Sequence, residues 1–253
     1  MSLAEKYPQQ SLCSGSPFEF ASLSDVQNRI EDFLRTNLPA IASGMKGWTD
    51  NKASRLNEKV IASNLCIRLN YAADDELFRF HHEDPQNKAA TRTLDMGTYP
   101  RPRLTVVGHA MGPLVRLYGI EAKRLPTPNQ SGEIRLREYV VGRWESKAIV
   151  HKSKSGGIER FKEGMHGEDL DRAAMFGFVQ SEGFNHWHSE VNGWIDDLIT
   201  SPIPSHQARW ENQDRLAPYP APGPRVAELR SDHARANGSA IRLTHFWLDL
   251  TGA

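Results

Sequence analysis

The sequence predicts an α/β chain built on a mixed β-sheet flanked by helices, and three observations carry that expectation. Two early segments place apolar residues at helical spacing: Val26, Ile30 and Phe33 in the first, Leu56, Val60, Ile61, Leu65 and Leu69 in the second. The period then changes, with Phe78 and Phe80 alternating with polar residues in ELFRFHHEDP and further short apolar runs separated by Pro and Gly. The closing run AIRLTHFWLDL is apolar on both parities, Ile241, Leu243 and Trp247 on one and Phe246, Leu248 and Leu250 on the other. A strand covered on both faces reads this way.

In chain order, residues 1–22 mix Gln, Ser, Gly and Pro with few apolars and read as an N-terminal arm, ahead of a single domain over 23–253. Ser24 and Gln27 form a capping box that predicts where the first helix begins. The second helix is expected from about Lys52 to Tyr71. Three strands follow: one stopped by Asp84-Pro85, TRTLDMGTYP stopped by Pro100 and Pro102, and LVRLYGIEAKRL, with RLTVV as a further short strand. Together they read as an antiparallel meander. After the loop PTPNQSGE, GIERFKEGMHG reads as a short helix bounded by glycines, EDLDRAA as a helix or turn, MFGFV as a strand and SEVNGWIDDLI as an amphipathic helix. Residues 201–225 hold six prolines and read as an irregular surface excursion. This order fits one α/β or α+β domain with a mixed sheet.

Composition narrows the function classes. Lys plus Arg and Asp plus Glu number 31 each, so no global field advertises a polyanionic partner, although a local basic groove needs no net charge. Two cysteines, Cys13 and Cys66, make neither a disulfide framework nor a four-cysteine zinc site, and no signal-peptide pattern opens the chain. A cytoplasmic setting is the expectation. No run approaches the roughly 20 apolar residues of a membrane span. There is no Walker A sequence, no glycine-rich loop in a dinucleotide-site context and no Gly-x-Ser-x-Gly elbow.

The stretch YGIEAKRLP is the most informative. Residues two apart on a strand share a face, with Cα atoms about 6.7 Å apart, so Glu121 and Lys123 point one way and Ala122 the other. A carboxylate supplies a hard oxygen ligand for Mg²⁺, the metal lowers the pKa of a bound water, and a lysine can orient that water or stabilise developing charge. A second acid is needed. Asp95, on an earlier strand between Leu94 and Met96, is the natural candidate to meet Glu121 across the sheet, and Glu58, beside the apolar stripe of the second helix, is the third. Read from the residues alone, Glu121 and Lys123 also fit a surface ion pair of little energetic weight.

An acid on a helix before the sheet, an Asp on the second strand and Glu-x-Lys on the third resembles the pattern of the PD-(D/E)xK nuclease superfamily, here Glu58, Asp95, Glu121 and Lys123. The succession REYV, GGIERFKEGMHG and AAMFGFV is also similar to small restriction-endonuclease-like proteins, and the resemblance spans about residues 52–180. It implies a restriction-endonuclease-like core, a four-stranded mixed sheet flanked by helices. It also implies a Mg²⁺-dependent endonuclease, with Mn²⁺ able to substitute, that hydrolyses phosphodiesters in DNA before RNA. Asp95 and Glu121 would hold the metal, Lys123 would act on the water, and Glu58 would support the metal shell. Two departures stand out: Leu94 replaces the usual proline before the Asp, and the stretch from Asp95 to Glu121 is long enough for PRPRLTVVGHAMGP to be an insertion. One site cuts one strand, so double-strand scission implies a homodimer or a partner. The likeness to effector nucleases of antiphage defence implies a helicase or other defence-system subunit for targeting. The rival expectations are a catalytically inactive nucleic-acid-binding or assembly subunit of the same fold, and an enzyme of another class that works without metal.

Residues 115–165 carry eleven Lys or Arg against six Asp or Glu, enough for a local positive groove. Arg124, which adjoins the motif, and Arg160 and Lys162, on the glycine-bounded helix, are the candidate phosphate contacts. His186 and His188 have same-face spacing if HWH is a strand, but no third zinc ligand accompanies them. His81 and His82 read as strand-edge residues, and His166 as a capping or surface residue ahead of the alternative, a phosphate contact.

Overall fold

A computed structural model describes residues 19–45, 58–85, 93–106, 109–126, 137–142, 145–146, 149–150, 156–204 and 206–251. In chain order the elements are β1 (Glu19–Phe20), α1 (Leu23–Gly44), α2 (Glu58–Ala72), β2 (Phe78–Pro85), β3 (Thr93–Pro100), β4 (Thr105–Val106), β5 (His109–Ala110) and β6 (Tyr118–Leu125). Then follow β7 (Glu145–Ser146), β8 (Ile149–Val150), α3 (Gly157–Lys162), β9 (Arg172–Val179), α4 (Phe184–Thr200), a 3-10 turn (Asn212–Asp214), β10 (Ala217–Gly223), β11 (Val226–Ala234) and β12 (Ala240–Asp249).

A seven-stranded mixed sheet in the order β10-β11-β12-β9-β6-β3-β2 organises the chain. β2, β3 and β6 form an antiparallel meander, β9 lies parallel to both β6 and β12, and β11 and β10 continue antiparallel. The two faces of the sheet carry separate cores. α1 and α2 pack Ile30, Leu34, Ile61, Leu65 and Leu69 against Phe78, Phe80, Ile120, Ala122, Phe246 and Leu248. On the other face α3 and α4 pack Ile158, Phe161, Val191, Trp194 and Ile195 against Met175, Leu243 and Trp247. The two parities of β12 thus enter two different cores, as its sequence predicts. Burying about 100 Å² of apolar side chain is worth roughly 2.5 kcal/mol, so a strand with both faces covered anchors the fold from its middle.

The structure corrects several local expectations. The cap of α1 is Ser22, whose hydroxyl accepts from the Asp25 backbone N–H at 3.2 Å and donates to the Asp25 carboxylate at 2.7 Å, so the helix starts earlier than a Ser24 cap would allow. Most of the N-terminal arm, 1–18, and the stretch with Leu56 lie outside the described residues; Phe20 of the arm lies in β1, parallel to β4. Val60 is exposed on α2 rather than part of its buried stripe. RLTVV supplies β4, which leaves the meander and pairs with β1 and β5 in a small separate sheet. α4 begins at Phe184, so His186 and His188 sit on a helix, where residues two apart do not share a face.

The proline-rich segment is also more ordered than its composition predicts. Pro218, Pro220 and Pro222 lie in β10, the outermost strand beside β11, where an outward position loses no ladder bond to a missing N–H. The opposite edge, β2, is interrupted instead: pairing with β3 skips Glu83 and Asp95, and Glu83 has φ of 52°. Such a break also discourages pairing with another chain.

Candidate active site

The interruption in β2 and β3 builds one wall of the site. The β3–β6 ladder runs from Thr98↔Tyr118 to Met96↔Ile120 and stops there. At the next position the half-buried Asp95 uses its side chain in place of a ladder carbonyl, and Oδ2 accepts the Ala122 backbone N–H at 2.7 Å. The break also turns the chain, so that Leu94 and Met96 enter opposite cores. The sequence places Asp95 on this strand; its contact with β6 coincides with the missing Glu83–Asp95 pair, which the sequence did not show.

Glu121 and Lys123 lie on β6, which is buried almost throughout and parallel to β9 with Glu121↔Met175 and Lys123↔Gly177 in register. They are 1% and 3% exposed, which excludes the surface ion pair. Lys123 Nζ donates to three oxygens: Glu121 Oε1 at 2.8 Å, the Ala122 carbonyl at 2.9 Å and Glu58 Oε1 at 3.1 Å. Glu58, at the start of α2, also accepts the Arg124 backbone N–H at 3.3 Å through Oε2. All four residues read from the sequence as one site are therefore brought to the same end of the sheet.

Two further residues complete the cluster. Arg160 Nη1 donates to Glu121 Oε1 at 2.7 Å, and His166 Nδ1 lies 3.3 Å from Glu121 Oε2, without hydrogen-bond geometry. His166 is 1% exposed and packs edge-on against Phe161, so it is neither a cap nor a surface residue. Its glycine neighbours in GMHG gave a turn signal but nothing that pointed inward. Gly156 and Gly157 have a packing reason: a Cβ at Gly156 would strike the backbone of Val141 and Gly142. That close approach lets Gly157, Ile158 and Glu159 N–H groups donate to the carbonyls of Glu138, Tyr139 and Val140 at 2.8, 3.2 and 2.9 Å. The start of α3 is thereby docked, with Arg160 turned toward Glu121.

The electrostatics follow from this crowding. Burial alone would raise the Glu121 pKa, but Lys123, His166 and Arg160 outweigh it and hold the carboxyl well below the usual range. Burial would lower Lys123, yet Glu121, Glu58 and Asp95 keep it firmly protonated. Asp95 goes the other way: burial first, then Glu121 and Glu58, push it up to about 8, against the pull of Lys123 and the Ala122 N–H. Two acids in one cluster whose pKa values are driven apart mark a candidate reaction centre. The donors available here, Asp95, Glu121, Glu58 and the Ala122 carbonyl, are hard oxygens of the type that Mg²⁺ and Mn²⁺ take. Among the described residues, no three His, Cys, Asp or Glu side chains stand close enough to hold a metal as they are now placed.

The three candidate phosphate contacts divide. Arg160 reaches the site, and Arg124 is half-buried beside it, with its backbone on Glu58. Lys162 does not face a groove: it is 1% exposed, donates to Asp214 Oδ1 at 2.7 Å and to the Ala234 carbonyl at 3.3 Å, and lies 5.0 Å from the centre of the Trp210 ring. The reading of Lys162 as a nucleic-acid contact is corrected by that burial, because residues two apart on a short helix point in different directions.

Lys162 instead terminates a buried chain of hydrogen bonds that the sequence did not reveal. Asp214 accepts from His233 Nδ1 at 2.5 Å, so Nε2 of His233 is an acceptor and Ser231 Oγ donates to it at 2.6 Å. Ser231 Oγ then accepts from His245 Nε2 at 2.7 Å, Tyr139 O–H donates to His245 Nδ1 at 2.8 Å, and Trp247 Nε1 donates to Tyr139 at 2.8 Å. His233, Ser231, His245 and Tyr139 each have one donor and one acceptor role between the accepting Asp214 and the donating Trp247, which fixes both tautomers. The Asp-His-Ser order looks like a hydrolytic triad, but Ser231 is 3% exposed and His233 1% exposed. No acyl substrate reaches Oγ without unpacking β11 and β12, so the chain serves to tie α3, the Tyr139 segment and the last hairpin together.

Compared with known protein families, curated proteins and solved structures, the chain matches none.

Proposed function

We propose that the chain is a divalent-metal-dependent nuclease of the PD-(D/E)xK type, acting on DNA with Asp95 and Glu121 as metal ligands, Glu58 in support and Lys123 beside the attacking water. The observation that carries the reading is the convergence of Glu58, Asp95, Glu121 and Lys123 at one sheet end, with three oxygens around the Lys123 ammonium. The succession β2, β3, β6 and then α3 and β9, with β9 parallel to β6, also supports a restriction-endonuclease-like core. The bound ion would polarise a phosphate and lower the pKa of a water. In this chain Lys123 is held charged by its carboxylates and so serves as an electrostatic and orienting group rather than as a proton acceptor. Arg160 adjoins the acids where a phosphodiester backbone would pass, and Arg124 stays a second candidate contact at the end of the same strand as Glu121 and Lys123.

The test is incubation of supercoiled plasmid and of single-stranded RNA with purified protein, in Mg²⁺, Mn²⁺ or EDTA, beside Asp95→Asn and Lys123→Ala. Metal-dependent nicking that falls about 100-fold or more in either variant supports the reading. Cleavage that persists in EDTA points to an enzyme of another class.

A second reading, nucleic-acid binding or assembly without cleavage, draws on one observation: both oxygens of Glu121 already face cationic or imidazole groups. DNA binding by a folded protein that cleaves under none of these conditions favours it. Because one site severs one strand, a homodimer or a partner subunit would supply the second cut.

A further inference from the structure

Glu121 Oε1 accepts from both Lys123 and Arg160, and Oε2 faces His166. Oε2 accepts no hydrogen bond but is buried behind His166, so neither oxygen is open to a divalent ion as placed, and one of the three neighbours must yield before metal can bind. The three are not equally able to move. The Lys123 side chain is 4% exposed and is held by Glu58 and the Ala122 carbonyl as well. His166 is 1% exposed and packed on Phe161. Arg160 is 22% exposed, the most solvent-accessible of the three, and extends from the short helix α3.

We infer that Arg160 is a displaceable cation: it holds Glu121 in the metal-free protein and passes to a substrate phosphate when a divalent ion takes its place. The inference rests on the nuclease reading of this site. Charge accounts for the coupling. The guanidinium and the ion compete for one carboxylate, so each weakens the other, and a guanidinium released beside the ion is positioned to pair bidentately with a phosphate. The metal-free protein then presents one cation fewer to DNA than the metal-loaded protein. Lys162, two residues along the same helix, is tied to Asp214 and takes no part in the exchange.

The experiment is calorimetric titration of the full chain with Mn²⁺, comparing wild type, Arg160→Gln, Arg160→Lys and Glu121→Gln, each checked for folding by its thermal melt. Asp95→Asn replaces Glu121→Gln as the ligand control if the latter does not fold. Arg160→Gln is expected to bind Mn²⁺ about 5- to 100-fold more tightly than wild type, Arg160→Lys to fall between them, and the ligand control to lose binding. A second readout uses a phosphorothioate duplex that resists hydrolysis. In Mn²⁺ the salt dependence of wild-type binding should exceed that of Arg160→Gln by about one phosphate contact, and without metal the two should coincide. Equal or weaker Mn²⁺ binding by Arg160→Gln, with binding lost in the control, overturns the exchange and leaves the metal site standing. Absence of Mn²⁺ binding in every protein, or binding undiminished in the control, overturns the metal site and the exchange together.

Discussion

Arg160 and Lys162 stand two residues apart on one short helix, and each is bound to a different buried carboxylate, Arg160 to Glu121 at 2.7 Å and Lys162 to Asp214 at 2.7 Å. The first contact belongs to the candidate active site and the second to the hydrogen-bond chain behind it. A single turn of helix thus joins a reactive cluster to a structural one, and the two cations should respond differently to mutation.

Lys162→Met leaves Asp214 buried with one cation fewer, and losing one member of a buried pair costs about 3 to 5 kcal/mol. Its urea midpoint should fall accordingly, with little change in the salt dependence of DNA binding. Arg160→Ala removes a partly solvated contact from a carboxylate that retains Lys123, and its stability should change by about 1 kcal/mol or less. Its DNA affinity in Mn²⁺ should drop. A reversed pattern would place Lys162, not Arg160, at the nucleic acid.

Lys123→Met strands Glu121 in the core without its closest ammonium, for an expected loss of about 3 kcal/mol. The double variant Lys123→Met, Glu121→Gln removes both charges and should recover part of that loss, although neither variant should cleave. Denaturant unfolding of the four proteins in the cycle gives the coupling energy directly. Additive losses would mean that the two side chains are not paired in solution.

Gly156→Ala pushes a methyl group into the Val141–Gly142 backbone, so it should cost about 2 kcal/mol or more and draw Arg160 away from Glu121. Gly193→Ala on α4 is the contrasting control: nothing lies within 4 Å of the added carbon, and a helical Gly→Ala change should stabilise by about 0.5 to 1 kcal/mol. Thermal melts of both variants check the sign. Equal effects at the two sites would remove the packing explanation for the glycine pair.

Burial, and then His233, hold the His245 pKa well below its ordinary 6.5, and burial also lowers His233 against the pull of Asp214. The unfolded chain takes up protons near pH 6.5 while the native chain does not, so this contribution is complete above about 6.5 and is lost as pH falls toward the native values. Each histidine accounts for up to about 1.4 kcal/mol per pH unit within that window. Asp95, raised to about 8, acts with the opposite sign over part of the same range, because the native state keeps a proton that the unfolded chain releases. The histidine part is therefore read as the difference between wild type and His245→Gln, whose stability gap should narrow as pH falls below 6.5. A gap that is constant with pH would show that His245 does not remain neutral in the fold.

The sequence by itself determined α1, α2, the strands β2, β3 and β6, α3, β9, α4 and the closing β12, together with the identity of the acids in the cluster, but not β10 or β11. Apolar spacing marked α1, α2 and α4, alternation marked β2, and apolar residues on both parities of β12 announced two covered faces. These features are local, and a period of two or of 3.6 residues is visible in a single run. The position of Glu121 and Lys123 on one face of β6 follows from the same rule.

Only the tertiary structure decided which partners those residues meet. His166 reaches Glu121 across 45 positions of sequence, Lys162 turns from solvent to Asp214, and Ser231 joins two histidines from adjacent strands. Prolines 218, 220 and 222 form a strand because β11 offers an edge to lie on. Such outcomes depend on what packs opposite each side chain, and desolvation and pairing energies of several kcal/mol outweigh the few tenths by which local propensity distinguishes one conformation from another.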